Sequence, residues 1–295
     1  MKCEKCENKA IIGNPILCSE HFEEYILKTV QDTITQFNLF TKETKICVAV
    51  SGGKDSLALI DILIRLGYSV EGLFVNEGIS NYREYSNEDL EKFMRKNKLL
   101  LRTTSFQDLV GHSLDEIMNT EKFHACSVCG TLRRYLLNKF SKEYDVIATG
   151  HNLDDEAQTV LINLARGNTD LMFRGGPKSK PTNQFTQKVK PLIFVSEKQL
   201  LTYAIIRKIK TGFEECPYAQ TSYRAHLRDL LNEEESKNPS TKLNILKSYL
   251  NLEKNIIKCD VKEKELCVCS VCGEASQEGI CKACKLKEEI INLLH

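Results

Sequence analysis

The residues that most restrict the fold of this chain are 45 to 56, Lys-Ile-Cys-Val-Ala-Val-Ser-Gly-Gly-Lys-Asp-Ser. A β-branched apolar run breaks into Ser51-Gly52-Gly53-Lys54-Asp55-Ser56 and continues into a helical pattern to Leu66. Adjacent glycines let backbone approach an anion with no Cβ in the way, and the following helix aims its first unpaired N–H groups at it. Ser51 and Ser56 add hydroxyls, and Lys54 adds a positive point charge. The four-residue gap that precedes Gly-Lys-Ser/Thr in a Walker A loop is missing, so this is a different phosphate-binding loop.

Strand and helix patterns alternate on either side of that loop. Strands are expected at 45–50, 70–76, 99–104 and 145–149, and helices at 56–66, 87–96, 130–142 and 154–165. This alternation predicts a doubly wound, mostly parallel α/β sheet whose ligands sit beyond the carboxyl ends of the strands. An amphipathic helix near 23–37 leads into the first strand, residues 174–190 read as a mobile basic loop, and a helical part follows from 196 to 210. A last amphipathic segment spans 286–294. The expected division is a small cysteine/histidine knot over 1–24, a catalytic domain with a helical part over 25–258, and a second knot over 259–295.

A chain of 295 residues can bury a substantial core, and its net charge of +1 places nucleic-acid binding, if any, on local basic patches. Candidates are Arg133-Arg134, Lys178 with Lys180, Lys188 with Lys190, Arg207-Lys208 with Lys210, and Arg224 with Arg228. No run is long enough to span a membrane and no signal pattern opens the chain, so a cytoplasmic protein is expected.

Thirteen cysteines are too many for inert packing in such a compartment, where a disulfide framework is not expected. Cys3-x-x-Cys6 with Cys18-x-x-His21, and Cys269-x-x-Cys272 with Cys281-x-x-Cys284, each offer four ligands at the spacing of a closed tetrahedral Zn²⁺ site. The middle group differs. Cys126-Ser127-Val128-Cys129-Gly130 opens a helix, and its partner is Cys216, before Pro217. Three thiolates suit an iron–sulfur cluster with one iron free of protein ligands; a third zinc with His124, or a redox pair Cys126/Cys129, are the alternatives. Cys47, Cys259 and Cys267 are left over.

Thr149-Gly150-His151-Asn152-Leu153-Asp154-Asp155-Glu156 follows a short strand and belongs at the same sheet edge as the glycine loop. Gly150 would admit a ribose, and Asp154 and Asp155 could hold Mg²⁺ against phosphate oxygens, although Asp154 also suits a helix N-cap.

The order Ser-Gly-Gly-x-Asp-Ser resembles the PP-loop (HUP-like) ATP pyrophosphatases. With Cys-Ser-x-Cys-Gly, Gly-His-x-x-Asp-Asp, Glu-Cys-Pro-Tyr and the two knots, the whole chain resembles the TtuA-type tRNA 2-thiouridine synthetases. That resemblance implies two Zn²⁺, a [4Fe-4S] cluster on Cys126, Cys129 and Cys216, and an ATP site with Mg²⁺. The site would use Ala49, Ser51, Gly52, Gly53, Lys54, Asp55, Ser56, Val75, Gly150, His151, Asp154 and Asp155. It also implies tRNA as substrate, a homodimer, and sulfide or a ubiquitin-like thiocarboxylate carrier as sulfur donor. Catalytic roles fall to Cys126, Cys129, Cys216, Lys54, Asp155 and Arg133, which stands where some members have lysine. The expected reaction is adenylation of a uridine 2-oxygen followed by sulfur insertion at C2. A cysteine persulfide on Cys126 or Cys216 is the alternative sulfur carrier, and an amide-forming ligase and a noncatalytic tRNA-binding module are the rival classes.

Overall fold

The computed structural model describes residues 1–80, 82, 84–172, 175–180, 182, 184–210, 216–218, 223–256 and 266–294. The chain opens with a short antiparallel pair, β1 (Ile12–Gly13) and β2 (Ile16–Leu17), and helix α1 (Ser19–Gln36). Then come β3 (Ile46–Val50), α2 (Lys54–Arg65), β4 (Val70–Asn76), α3 (Glu84–Lys96) and β5 (Leu101–Ser105). Two short helices, α4 (Phe106–Val110) and α5 (Leu114–Met118), precede α6 (Ala125–Phe140), β6 (Val146–Thr149) and α7 (Leu153–Ala165). The remainder is α8 (Thr169–Met172), β7 (Gln187–Val189), α9 (Glu197–Ile206), α10 (Tyr223–Lys237), α11 (Thr241–Ile256), the pair β8 (Cys267–Val268) and β9 (Ala275–Ser276), and α12 (Lys282–Leu294).

The central sheet has the order β5-β4-β3-β6-β7 with every pairing parallel, as the alternating pattern requires. Chain order reverses between β3 and β6, so the cleft opens beyond Val50 and Thr149. Side-chain alternation assigns the two faces. Ile46, Val48, Val50, Val146, Ala148 and Val189 pack with α1, α2 and α9, while Cys47 and Ile147 face Leu73, Tyr144 and Leu137 of α6.

Two expectations need correction. The basic stretch 174–190 contains an edge strand, β7, whose Val189 is fully buried and whose Lys178 bridges back to Val189. Its alternation is hidden because Gln187 and Lys188 are polar and the strand is only 3 residues long. The helix expected from Gly130 starts at Ala125, which puts Cys126 and Cys129 in its first turns. The proposed boundary at 258/259, and Cys259, lie outside the described residues.

Candidate active site

The glycine loop is braced by its own hydroxyls. Ser51 N–H donates to Ser56 Oγ (3.1 Å), Gly53 N–H to Ser51 Oγ (3.3 Å), and Ser56 Oγ–H to the Gly53 carbonyl (3.0 Å). Ser56 is therefore a strut inside the loop, and it is buried. Gly52 takes a positive φ of 73°, where a side chain would be strained, and Gly53 is an N-cap without any side-chain cap. The neighbouring α7 and α9 are closed by capping boxes on Asn152 and Ser196, whereas the first N–H groups of α2 have no side-chain cap and stay available for an anion.

Gly150 is explained by packing. A methyl group there would lie 3.0 Å from Ser56 N, 3.1 Å from the Asp55 carbonyl carbon and 3.2 Å from Ser56 Cα. The turn after β6 thus rests on the first turn of α2, and the two candidate segments share one edge. Ala49 and Val75 lie at the neighbouring ends of β3 and β4.

Lys54 pairs with Glu197 Oε1 (2.7 Å) and Asp55 Oδ2 (3.4 Å). Glu197 has no local sequence signal and was not among the expected residues. Burial holds the Asp55 carboxyl up to about 6; Lys54 opposes this, while Asp155 and Glu197 add to it. Asp55 Oδ1 is buried with no hydrogen-bond partner. An unsatisfied carboxylate oxygen beside two further carboxylates is a donor set that fits a hard divalent cation.

Asp154 does not fit that role. Its carboxylate, 5% exposed, is paired with Lys242 of α11 and accepts the Glu197 N–H (2.8 Å). Both oxygens are committed to positioning α9 and α11. The α7 cap is Asn152, whose side chain accepts from Asp155 N–H, while Asp155 accepts from Asn152 N–H. Asp155 keeps its other oxygen 3.8 Å from Arg224. His151 is exposed and its Nδ1 lies 2.8 Å from Thr149 Oγ1.

A short connection joins α6 to β6, so α6 runs against the sheet and its N-terminus returns to the same edge. It carries Cys126, exposed, and Cys129, half-buried. Cys126 Sγ lies 3.8 Å from the Tyr218 carbonyl, and Tyr218 Oη donates to Asp115 (2.7 Å), which anchors the Cys216–Tyr218 segment against α5 and α6. Arg133, one turn beyond Cys129, pairs with buried Glu77 just past β4 and donates to Cys129 Sγ (3.1 Å). Glu77, like Glu197, carries no local sequence signal for its place at the site.

Among the described residues, groups of three or more ligands within 4.8 Å of one another occur only at the chain ends. There Cys3 and Cys18 Sγ lie 3.5 and 3.4 Å from His21 Nδ1, and Cys6–Cys18 and Cys272–Cys281 are 3.7 Å apart. Tetrahedral bonds of about 2.3 Å to sulfur and 2.0 Å to nitrogen give edges of about 3.8 and 3.5 Å, so both sets fit one closed tetrahedral ion. The Cys281 N–H on Cys269 Sγ (3.2 Å) draws that thiol down to about 6, toward the ligating thiolate. Cys126, Cys129 and Cys216 are not such a set. Cys47 is a core thiol pushed up to about 12 by burial, and exposed Cys267 lies 3.4 Å from the Ser276 carbonyl in β9.

The PP-loop domain model of the ATP-binding family matches residues 19–235. The chain belongs to the PP-loop family. This PP-loop protein is 40% identical over 299 residues to a tRNA-5-methyluridine(54) 2-sulfurtransferase from Pyrococcus horikoshii, a match covering 98% of this chain and 96% of the relative. It is 35% identical to the cytoplasmic tRNA 2-thiolation protein 1 of Drosophila sechellia, over 96% and 86% of the two chains. Among solved structures, the U34-tRNA thiolase NcsA from Methanococcus maripaludis with its [4Fe-4S] cluster superposes with a TM-score of 0.83 at 30% identity, over 98% of this chain and 96% of that one. No described helix of this PP-loop protein is long and apolar enough to cross a membrane.

Proposed function

We propose that this PP-loop protein is a tRNA-uridine 2-sulfurtransferase that consumes ATP. The observation that carries this reading is the sharing of one sheet edge by the uncapped α2 loop and the α6 N-terminus with Cys126 and Cys129, to which the Cys216–Tyr218 segment is tied. Full-length similarity to enzymes named for tRNA 2-thiolation supports the substrate class.

The α2 N–H groups and Lys54 hold the ATP phosphates, with Lys54 released from Glu197 as phosphate replaces it. The uridine 2-oxygen attacks the α-phosphorus, the bond to the bridging oxygen breaks, and pyrophosphate leaves. Sulfide then attacks C2, and AMP departs carrying the former 2-oxygen, so no net oxidation or reduction occurs. Asp55 and Asp155 would hold Mg²⁺. Cys126, Cys129 and Cys216 would hold a [4Fe-4S] cluster, which would supply a position for sulfide at an iron that the three cysteines leave unligated. Arg133, fixed by Glu77, keeps a permanent positive charge beside Cys129; guanidinium does not deprotonate, so its role is electrostatic. The two end sites take Zn²⁺ as structural ions, and the sulfur donor is free sulfide or a thiocarboxylate carrier protein.

The test is an anaerobic reaction of purified protein with tRNA, ATP and sulfide, followed by nucleoside mass spectrometry and AMP quantification. Equal amounts of AMP and 2-thiouridine are expected. Cys216→Ala should lose thiolation and keep ATP binding; full thiolation by that variant refutes the three-cysteine centre.

A further inference from the structure

Most cations around the cleft have an anionic partner. Lys54 has Glu197, Arg133 has Glu77, Lys190 has Glu156 (2.7 Å) and Arg224 has Asp155. Arg134 and Lys188 are exceptions: among the described residues neither side chain pairs with a carboxylate, and the attractive neighbour of Arg134 is the Cys129 sulfur. Both lie on the α6 face of the sheet. Val189 points into the α2 side, so Lys188, its neighbour in β7, points to the other. Thr186 Oγ1 donates to the Ser141 carbonyl at the end of α6 (2.8 Å), and strand and helix run in opposite directions from there. Lys188 therefore rises alongside α6 toward Arg134. Burial first, and then Arg134, draw the Lys188 ammonium below its usual range, so the two charges feel one another.

Gly130 belongs to the same arrangement. A methyl at that position would stand 3.1 Å from Arg134 Nη1, so the guanidinium lies back across the first turns of α6, beside Cys129. The glycine after the second cysteine leaves room for a planar cation at the mouth of the centre.

We propose that Arg134 and Lys188 form a binding subsite for a backbone phosphate of the RNA substrate, beside the three-cysteine centre. The proposal rests on the tRNA reading above. Phosphate chemistry fits the pair because a guanidinium fork and an ammonium with no internal counter-ion together offer charge and directed N–H groups to one anion. The alternative source of phosphate is ATP. It is disfavoured because α2 and its loop cover the opposite face of the sheet, where the triphosphate has its own helix N-terminus and Lys54.

The experiment uses anaerobically purified, cluster-loaded protein and unmodified tRNA, with Arg134→Gln, Lys188→Gln, the double variant and Arg134→Lys. Binding is measured by fluorescence anisotropy across a salt series, beside the KM for ATP and the iron and zinc contents. Each glutamine variant should weaken tRNA binding about tenfold and reduce the slope of log affinity against log salt by about 1. Arg134→Lys should recover part of the affinity, and the KM for ATP should stay unchanged. Unchanged tRNA affinity and slope in the double variant, with metals retained, overturns the subsite. So does a rise confined to the KM for ATP, which would assign the pair to the nucleotide. Failure of the functional reading is visible separately: wild-type protein would make no 2-thiouridine, whatever the variants bind.

Discussion

The glycines of the cleft separate residues needed for the fold from residues needed for the ligand, and substitution by alanine tests the separation. At Gly150 the added methyl meets three backbone atoms at 3.0, 3.1 and 3.2 Å. These belong to the first turn of α2, which cannot swing aside like a side-chain tip. Overpacking of this kind costs about 1–3 kcal/mol. For a chain of this size that is a fall in melting temperature of roughly 2–10 °C. The displaced atoms also include the Ser56 N–H of the anion loop, so the KM for ATP should rise with the loss of stability. Gly53 is the contrast. Its φ of −80° suits any residue, and its methyl would meet only Ser51 Oγ, at 3.4 Å. Gly53→Ala should change stability by less than about 1 kcal/mol, because the gain from a stiffer unfolded chain is offset by the poor N-cap propensity of alanine. It should still raise the KM for ATP, because the methyl narrows the approach to the open α2 N-terminus. Gly52→Ala, at a φ of +73°, should cost about 1–2 kcal/mol through backbone strain alone. Differential scanning fluorimetry and ATP titration on the three variants check the order. Gly150→Ala with wild-type melting and ATP affinity, or Gly53→Ala as destabilised as Gly150→Ala, refutes the packing account.

Lys242→Met strands the Asp154 carboxylate in a site where it is 5% exposed, so a loss of about 3–5 kcal/mol is expected in urea unfolding, with much of it regained in Lys242→Met/Asp154→Leu. A single variant within 1 kcal/mol of wild type would show that the pair is solvated. Burial raises the Asp55 pKa from 3.8 to about 6 in the folded chain, so the stability that its proton contributes is full below 3.8 and lost as pH rises through about 6. Asp55→Asn removes that loss, and should be more stable than wild type by up to about 3 kcal/mol at pH 7.5, with the gap closing by pH 4. A gap that does not vary with pH counts against the assignment. Cys3→Ser should lower zinc content by one equivalent and melt the β1–β2 knot and its packing on α1, whereas retention of full zinc would exclude Cys3 as a ligand.

Much of this architecture is legible in the chain because the signals are local. The β-branched run 46–50 ending in Ser-Gly-Gly, and the apolar periodicity of 57–63, need only nearest-neighbour reasoning to give a strand, an anion loop and a helix. The knots are legible for the same reason, since ligand spacing fixes them within about twenty residues. What sequence conceals is set by contacts between distant segments. Asp154 has the position of a metal ligand in its motif, yet Lys242, 88 residues on, takes its charge. Glu197 is the first residue of an ordinary capped helix until the fold lays it against Lys54, 143 residues earlier. β7 is hidden because only Val189 turns into the apolar core, so its period of two has a single visible beat.

That hidden strand changes how the basic residues of 174–190 are to be read. In a loop, Lys188 and Lys190 are two equivalent solvated charges. At the end of β7, Lys190 is neutralised by buried Glu156, while Lys188, two residues before it, enters the α6 face beside Arg134. The same face carries Cys126 and Cys129 at the N-terminus of α6. In the reaction proposed above the two layers of the sheet divide the chemistry, with ATP phosphates on the α2 side and the cysteine sulfurs on the α6 side. A reacting uridine has to reach the line between them, at the carboxyl ends of β3 and β6. On that proposal its own backbone phosphate falls on the α6 side, because the α2 side takes the nucleotide.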